Sequence, residues 1–142
     1  KNLLKVKVSC IKERMLFASE YMLKPNLGEY KEAFGEIPAK PNQPIRIEFE
    51  NPDATPHNFV LVQPDSLEEV GLAANEMAKD PEAAKSGQFI PKSKKIIVHT
   101  KMLKQGGKET LRFKAPRKPG RYPYLCSFPG HWAIMKGVLV VK

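Results

Sequence analysis

Cys126-Ser127-Phe128-Pro129-Gly130-His131-Trp132-Ala133-Ile134-Met135 places a thiolate, an imidazole and a thioether within ten residues, in the spacing Cys-x4-His-x3-Met. A soft sulfur donor beside an imidazole suits copper or zinc, and a weak, more distant thioether favours copper. One Cys and two His in a trigonal set, with a long axial Met, is an arrangement used for electron transfer by copper. The stretch supplies three of those four ligands, so a second histidine has to come from elsewhere. The chain has three histidines, His57, His99 and His131. His57 sits in Thr55-Pro56-His57-Asn58-Phe59, where a Pro-containing turn runs into an apolar strand. A histidine beside a strand is more often a hydrogen-bonded core residue than a ligand. Here the downstream donors need one more imidazole, and the expected ligand set is His57, Cys126, His131 and Met135.

Outward from this stretch the chain reads as strands. Tyr122-Pro123-Tyr124-Leu125 leads into Cys126, and Val138-Leu139-Val140-Val141 follows Met135. Ile45, Ile47 and Phe49 alternate with Arg46, Glu48 and Glu50, the period of a half-buried strand. His57-Asn58-Phe59-Val60-Leu61-Val62 is a nearly continuous apolar run, as in a sandwich interior. Ile96-Ile97-Val98-His99, the Leu111–Phe113 alternation and the Leu4–Cys10 alternation add more, and Met15-Leu16-Phe17 reads as a further strand. Pro25, Gly28, Gly35, Pro38, Pro41 and Pro44 punctuate residues 11–43, predicting turns and short extended pieces rather than a long helix. Seven or eight short strands predict an all-β Greek-key sandwich. One helical flap interrupts it around residues 66–86. Ser66-Leu67-Glu68-Glu69 has the form of a capping box, and Leu67, Val70, Ala74 and Met77 recur at helical spacing. Asp80-Pro81-Glu82 starts a second short helix that Ser86-Gly87 ends. The apolar stripe of the flap reads as packing, not as a cofactor box.

The Cys126–Met135 stretch, followed by Lys136-Gly137, resembles the copper loop of azurin. His99-Thr100-Lys101-Met102-Leu103 resembles the azurin segment before its last hairpin. Pro56-His57-Asn58 is nearer to plastocyanin and auracyanin, since azurin has Gly before this histidine. The resemblance covers residues 44–142 and is specific at the copper loop. It implies a cupredoxin-like sandwich with one type 1 (blue) copper that alternates between Cu(I) and Cu(II). It also implies a shuttle of single electrons between redox proteins such as c-type cytochromes, docking near His131, in the periplasm or another extracytoplasmic compartment. His99 falls on a non-ligating position, and Met102 is expected in the core or on the surface. Asn58 is expected to tie the two ligand segments together by hydrogen bonds. The Phe128 N–H is expected to donate to the Cys126 sulfur, while Pro129 has no N–H to give. Pro56, in place of the azurin Gly, implies a plain four-ligand site. The His131 ring edge is expected in an apolar surface patch with Trp132, Ala133 and Ile134; the other reading of Trp132 is a core residue.

The net charge is +9, unevenly spread. Residues 1–83 carry ten Lys/Arg and fourteen Asp/Glu, a net −4, whereas residues 84–142 carry fourteen Lys/Arg and only Glu109, a net +13. A basic surface or an acidic protein partner steered by the field accounts for this. Nucleic acid is not expected, because no binding motif and no aromatic–basic interleaving is present. No apolar run approaches the ~20 residues needed to cross a bilayer. The chain begins at Lys1 without a visible signal segment and reads as one domain, 1–142, mature or excised from a larger chain. Cys10 falls on the apolar face of the first strand and reads as a buried free thiol. Azurins usually staple this region with a disulfide, which cannot form if Cys126, the other cysteine, holds metal. A copper-binding or delivery protein without a redox role is the alternative function, and it calls for exposed, exchangeable ligands. An enzyme with Cys126 as nucleophile and His131 as base leaves Met135 unexplained, so no enzymatic activity is expected.

Overall fold

The computed structural model describes the backbone of residues 4–12 and 15–23, and the backbone and side chains of residues 35–142. Its strands are β1 (Leu4–Lys12), β2 (Met15–Leu23), β3 (Glu36–Ala39), β4 (Pro44–Asn51), β5 (Val60–Val62), β6 (Ile96–His99), β7 (Gly107–Lys114), β8 (Gly120–Leu125) and β9 (Lys136–Val141). Two helices, α1 (Leu67–Met77) and α2 (Pro81–Ser86), lie between β5 and β6. The strands form two sheets, β2-β1-β4-β7 and β3-β9-β8-β5-β6. All pairings are antiparallel except β3 with β9.

Side-chain alternation builds the core between the sheets. Along β4, Ile45, Ile47 and Phe49 are buried while Arg46, Glu48 and Glu50 stay half-exposed. They meet Ile37, Leu61, Tyr122, Tyr124, Leu139 and Val141 of the other sheet in one apolar cluster. Phe59 stacks on Tyr124 with ring centroids 4.8 Å apart. Burying each such side chain is worth about 1.5–3 kcal/mol, so the clamp on the sheets is firm.

Strand β5 explains its own unbroken apolar run. Leu61 faces the inter-sheet core, whereas Val60 and Val62 point outward and are covered with Val70 of α1 and Leu125 of β8. A strand buried on both faces carries no polar alternation. The run is shorter as a strand than expected: β5 covers only Val60–Val62, and His57 instead forms an isolated bridge with Leu103. In the N-terminal part β2 continues to Leu23, a longer element than the Met15–Phe17 piece expected there. The Cys10 side chain lies outside the described residues.

The helical flap is where expected, with one change of detail. Asp80 caps α2 by accepting the Glu82 N–H, Pro81 takes the first position, and Gly87 closes it in the left-handed region at φ 69°. Ser66 precedes α1 but makes no cap; its hydroxyl donates to Pro64 O instead. The capping box is therefore present in sequence and unmade in structure. Among the described residues no helix is long and apolar enough to cross a membrane.

Candidate metal centre

His57 arrives at the end of a braced turn. Asn51, fully buried at the end of β4, donates from Nδ2 to Thr55 O (2.9 Å) and Leu103 O (2.8 Å), and its Oδ1 accepts the Asp53 N–H (2.8 Å). The last of these is the local turn that an Asx side chain favours. The His57 backbone then pairs in both directions with Leu103, at 3.1 and 2.8 Å. The ring is only 2% exposed, with Nε2 lying 2.8 Å from Asp53 Oδ2.

The other donors come from the connection between β8 and β9. Cys126 follows directly on Leu125, and its N–H donates to Met135 O at 3.0 Å, which closes the ten-residue loop on itself. Inside it, the His131 N–H donates to Phe128 O and the Met135 N–H to His131 O, around one 3-10 turn over His131–Ala133. Gly130 adopts φ 85°, a conformation that costs glycine little and L side chains more. Asn58 joins the two segments as expected: its Nδ2 donates to Ser127 Oγ (2.8 Å) and its Oδ1 accepts the Ser127 N–H (2.7 Å).

His57, Cys126 and His131 converge, with one donor atom from each lying within 4.8 Å of the others. Cys126 Sγ is 3.8 Å from His57 Nδ1 and 3.6 Å from His131 Nδ1. A late first-row dication with metal–N near 2.0–2.1 Å and metal–S near 2.3 Å, in trigonal array, would set N and S about 3.7–3.8 Å apart. The donor spacing and the N2S chemistry therefore fit such an ion. Met135 is buried in the same apolar cluster as Cys126. His99 lies outside this group, exposed, with Nδ1 against Thr100 O, and Met102 is buried.

The electrostatics keep the donors neutral until a metal arrives. Burial pushes the Cys126 thiol up to about 11, while N–H groups of Asn58 and Phe128 donating to the sulfur pull it down. The expected single amide donor is thus two, the second coming from Asn58 and not from the proline position. Burial holds His57 below its ordinary value against the hydrogen bond and charge of Asp53. His131 is lowered to about 4, by burial and by His57, with Asp53 opposing. Both imidazoles therefore offer a lone pair at neutral pH, and metal binding must displace the thiol proton.

Around His131 the nearest rings are Phe128, at 4.6 Å between centroids, and His57, at 5.0 Å. Phe89 stands edge-on to Phe128 at 5.6 Å. Trp132 turns the other way and packs over Gly71 of α1, where a Cβ would come within 2.2 Å of the indole. Asn75 Oδ1 of the same helix accepts the Gly130 N–H at 2.7 Å. Sequence reasoning missed Asn51, Asp53, Gly71 and Asn75. In the sequence Asn51-Pro52-Asp53 reads only as a strand break, and nothing local marks the helix residues.

The family model for copper-binding proteins of the plastocyanin/azurin family matches residues 37–142. The chain belongs to the plastocyanin/azurin family. Its cofactor is accordingly copper, in one type 1 site, and its two-sheet sandwich with short helices is the cupredoxin fold. Auracyanin-A of Chloroflexus aurantiacus is 32% identical over 75% of this chain and 64% of its own length. Azurin of Achromobacter denitrificans is 34% identical over 58% of this chain and 54% of its own length. The chain thus spans less than two thirds of each of these two relatives. The solved structure of dithionite-reduced auracyanin from Roseiflexus castenholzii superposes with a TM-score of 0.62 at 37% identity, covering 75% of this chain and 83% of that one.

Proposed function

We propose that this chain is a one-electron carrier whose copper is held by His57 Nδ1, Cys126 Sγ and His131 Nδ1, with the Met135 thioether as weak axial ligand. The observation that carries this reading is the convergence of one sulfur and two imidazole nitrogens at 3.6 and 3.8 Å S–N separations on a braced frame. When bound, copper supplies a one-electron couple. The residues supply what that couple needs. The Asn51 turn and the bridge to Leu103 fix His57, the Asn58–Ser127 bonds fix the loop against it, and burial of Cys126 and His57 excludes water. A frame that does not rearrange between oxidation states keeps electron transfer fast. Buried donors also suit retention of the metal better than its delivery to another protein.

His131 is the one of the three converging donors that is not buried. That makes its surroundings the docking point for redox proteins such as c-type cytochromes. The basic C-terminal half favours an acidic face on the partner. An extracytoplasmic compartment follows from the same reading. The test is stoichiometric Cu(II) addition followed by visible and electron paramagnetic resonance spectra and voltammetry. An intense blue band with a reversible one-electron wave is expected, and Cys126→Ser should abolish the band. Retention of the band in that variant would overturn the ligand assignment.

A further inference from the structure

The turn from Asn51 to His57 does more than deliver an imidazole. Asn51 holds it by three side-chain hydrogen bonds, and the third is to the N–H of Asp53 itself. That places Asp53 Oδ2 2.8 Å from His57 Nε2, while Nδ1 of the same ring faces the Cys126 sulfur at 3.8 Å. A neutral imidazole has one N–H and one lone pair, and a carboxylate only accepts. The proton therefore belongs on Nε2, which leaves the Nδ1 lone pair directed at the metal position. The Asp53 side chain is 21% exposed and the His57 side chain 2%, so this contact lies at the margin of the core, where solvent screens it less than at a free surface.

We propose that Asp53 is a positioning residue for the copper centre: its carboxylate fixes the tautomer and orientation of His57 and adds a negative charge that favours Cu(II) over Cu(I). The proposal rests on His57 being a ligand, as argued above. Its physical basis is general. A carboxylate behind a ligating histidine orients the ring and raises its basicity, and losing such a partner costs about 10–100-fold in metal affinity. A fixed anion one imidazole away from the metal also stabilises the state of higher positive charge.

The experiment compares Asp53→Asn, Asp53→Ala and Asp53→Glu with the parent chain. Asn can still accept from Nε2–H but carries no charge. Its copper protein should stay blue, with a Cu(II)/Cu(I) affinity ratio lowered about tenfold, which raises a one-electron potential by about 59 mV. Asp53→Ala should bind Cu(II) about 10–100-fold more weakly. In its metal-free form, 15N NMR of His57 should show the single Nε2–H tautomer replaced by a mixture. Asp53→Glu should recover part of the potential and of the tautomer preference. A blue Asp53→Asn protein with the parental potential, or a metal-free Asp53→Ala protein with an unchanged tautomer, overturns the proposal. The tautomer readout needs no copper, so it separates this failure from that of the ligand assignment, in which the parent chain itself gives no blue band.

Discussion

The segment from Asn51 to Asn58 and the loop from Cys126 to Met135 meet at one point, yet they are held there by different means. The first brings one donor and depends on distant partners. Asn51 reaches Leu103, the His57 backbone pairs with Leu103 both ways, and the Gly106 N–H donates to Asn51 O. The second brings the other three proposed ligands and closes on itself through Cys126–Met135, His131–Phe128 and Met135–His131 backbone bonds. It is then lashed outward by side-chain bonds at Ser127 and Gly130. In the first region geometry is set by side chains remote from the metal. In the second it is set largely by chain connectivity. Substitutions outside the ligands should therefore hurt the first region more.

Asn51→Ala is the strongest test of that contrast. It removes three hydrogen bonds around a fully buried group, and each is worth about 1 kcal/mol or somewhat more when a buried partner is left unmet. A loss of about 3–4 kcal/mol in urea unfolding is expected, together with weaker copper binding through a displaced His57. A loss below about 1 kcal/mol would show the turn to be held by its backbone pairing alone.

Within the loop, acid and alkali act through different groups. The folded Cys126 thiol keeps its proton to about 11, against 9.0 for an unperturbed thiol. Between those values the unfolded chain has lost the proton that the folded one keeps, so metal-free stability falls as pH rises, by at most about 3 kcal/mol. On the acid side His131 stays neutral down to about 4, against an ordinary 6.5. There the unfolded chain binds the extra proton, so stability is full above 6.5 and falls as pH drops toward 4. Urea midpoints of the metal-free protein at mildly acid, neutral and alkaline pH should trace this dome. Copper loading should remove its alkaline shoulder, since the thiolate is then already formed.

What could be read from the sequence follows the same division. The copper loop was legible because its donors lie within ten residues and need no knowledge of the fold. The strands of the core were legible by alternation, as in Ile45, Ile47 and Phe49. The cap at Asp80-Pro81 was legible because capping is local. Asn51 and Asp53 were not, because their roles exist only once Leu103 and His57 are brought beside them. The Ser66 motif misled for a related reason: its hydroxyl had a competing acceptor in Pro64 O. Trp132 is half-buried and packs against the apolar cluster on the outer face of β5, the core reading in part, because α1 offers it a glycine to lie against.

Gly71→Ala probes whether α1 fixes the loop or merely lies near it. Alanine is better than glycine in a helix by about 1 kcal/mol, so stabilisation is the default outcome. Here the new Cβ would fall 2.2 Å from Trp132 Cδ2 and 2.4 Å from Cγ, atoms near the root of the side chain that cannot swing aside alone. Overpacking of this kind costs about 1–3 kcal/mol. A net loss of up to about 2 kcal/mol is expected, and combining it with Trp132→Leu should relieve the overlap. A gain in stability would mean that the indole is free to move.

Asn75→Ala should have the smallest effect and is the sharpest on mechanism. Its Oδ1 takes the Gly130 N–H at 2.7 Å in an exposed setting, where water can replace it. The net value of such a bond is about 1 kcal/mol or less, and alanine recovers part of it through helix propensity. Stability should therefore change by under about 1 kcal/mol, with the blue band intact. The Gly130 amide should nonetheless exchange with solvent about tenfold faster, because its protection comes from this acceptor. If the loop is held by its own short-range bonds, the loosening stops at Gly130, and the amides of His131 and Met135, which donate within the loop, keep their protection. If those amides quicken as well, the loop does not stand on its own connectivity. Its dependence on remote side chains would then equal that of the His57 segment, and the contrast between the two would be lost.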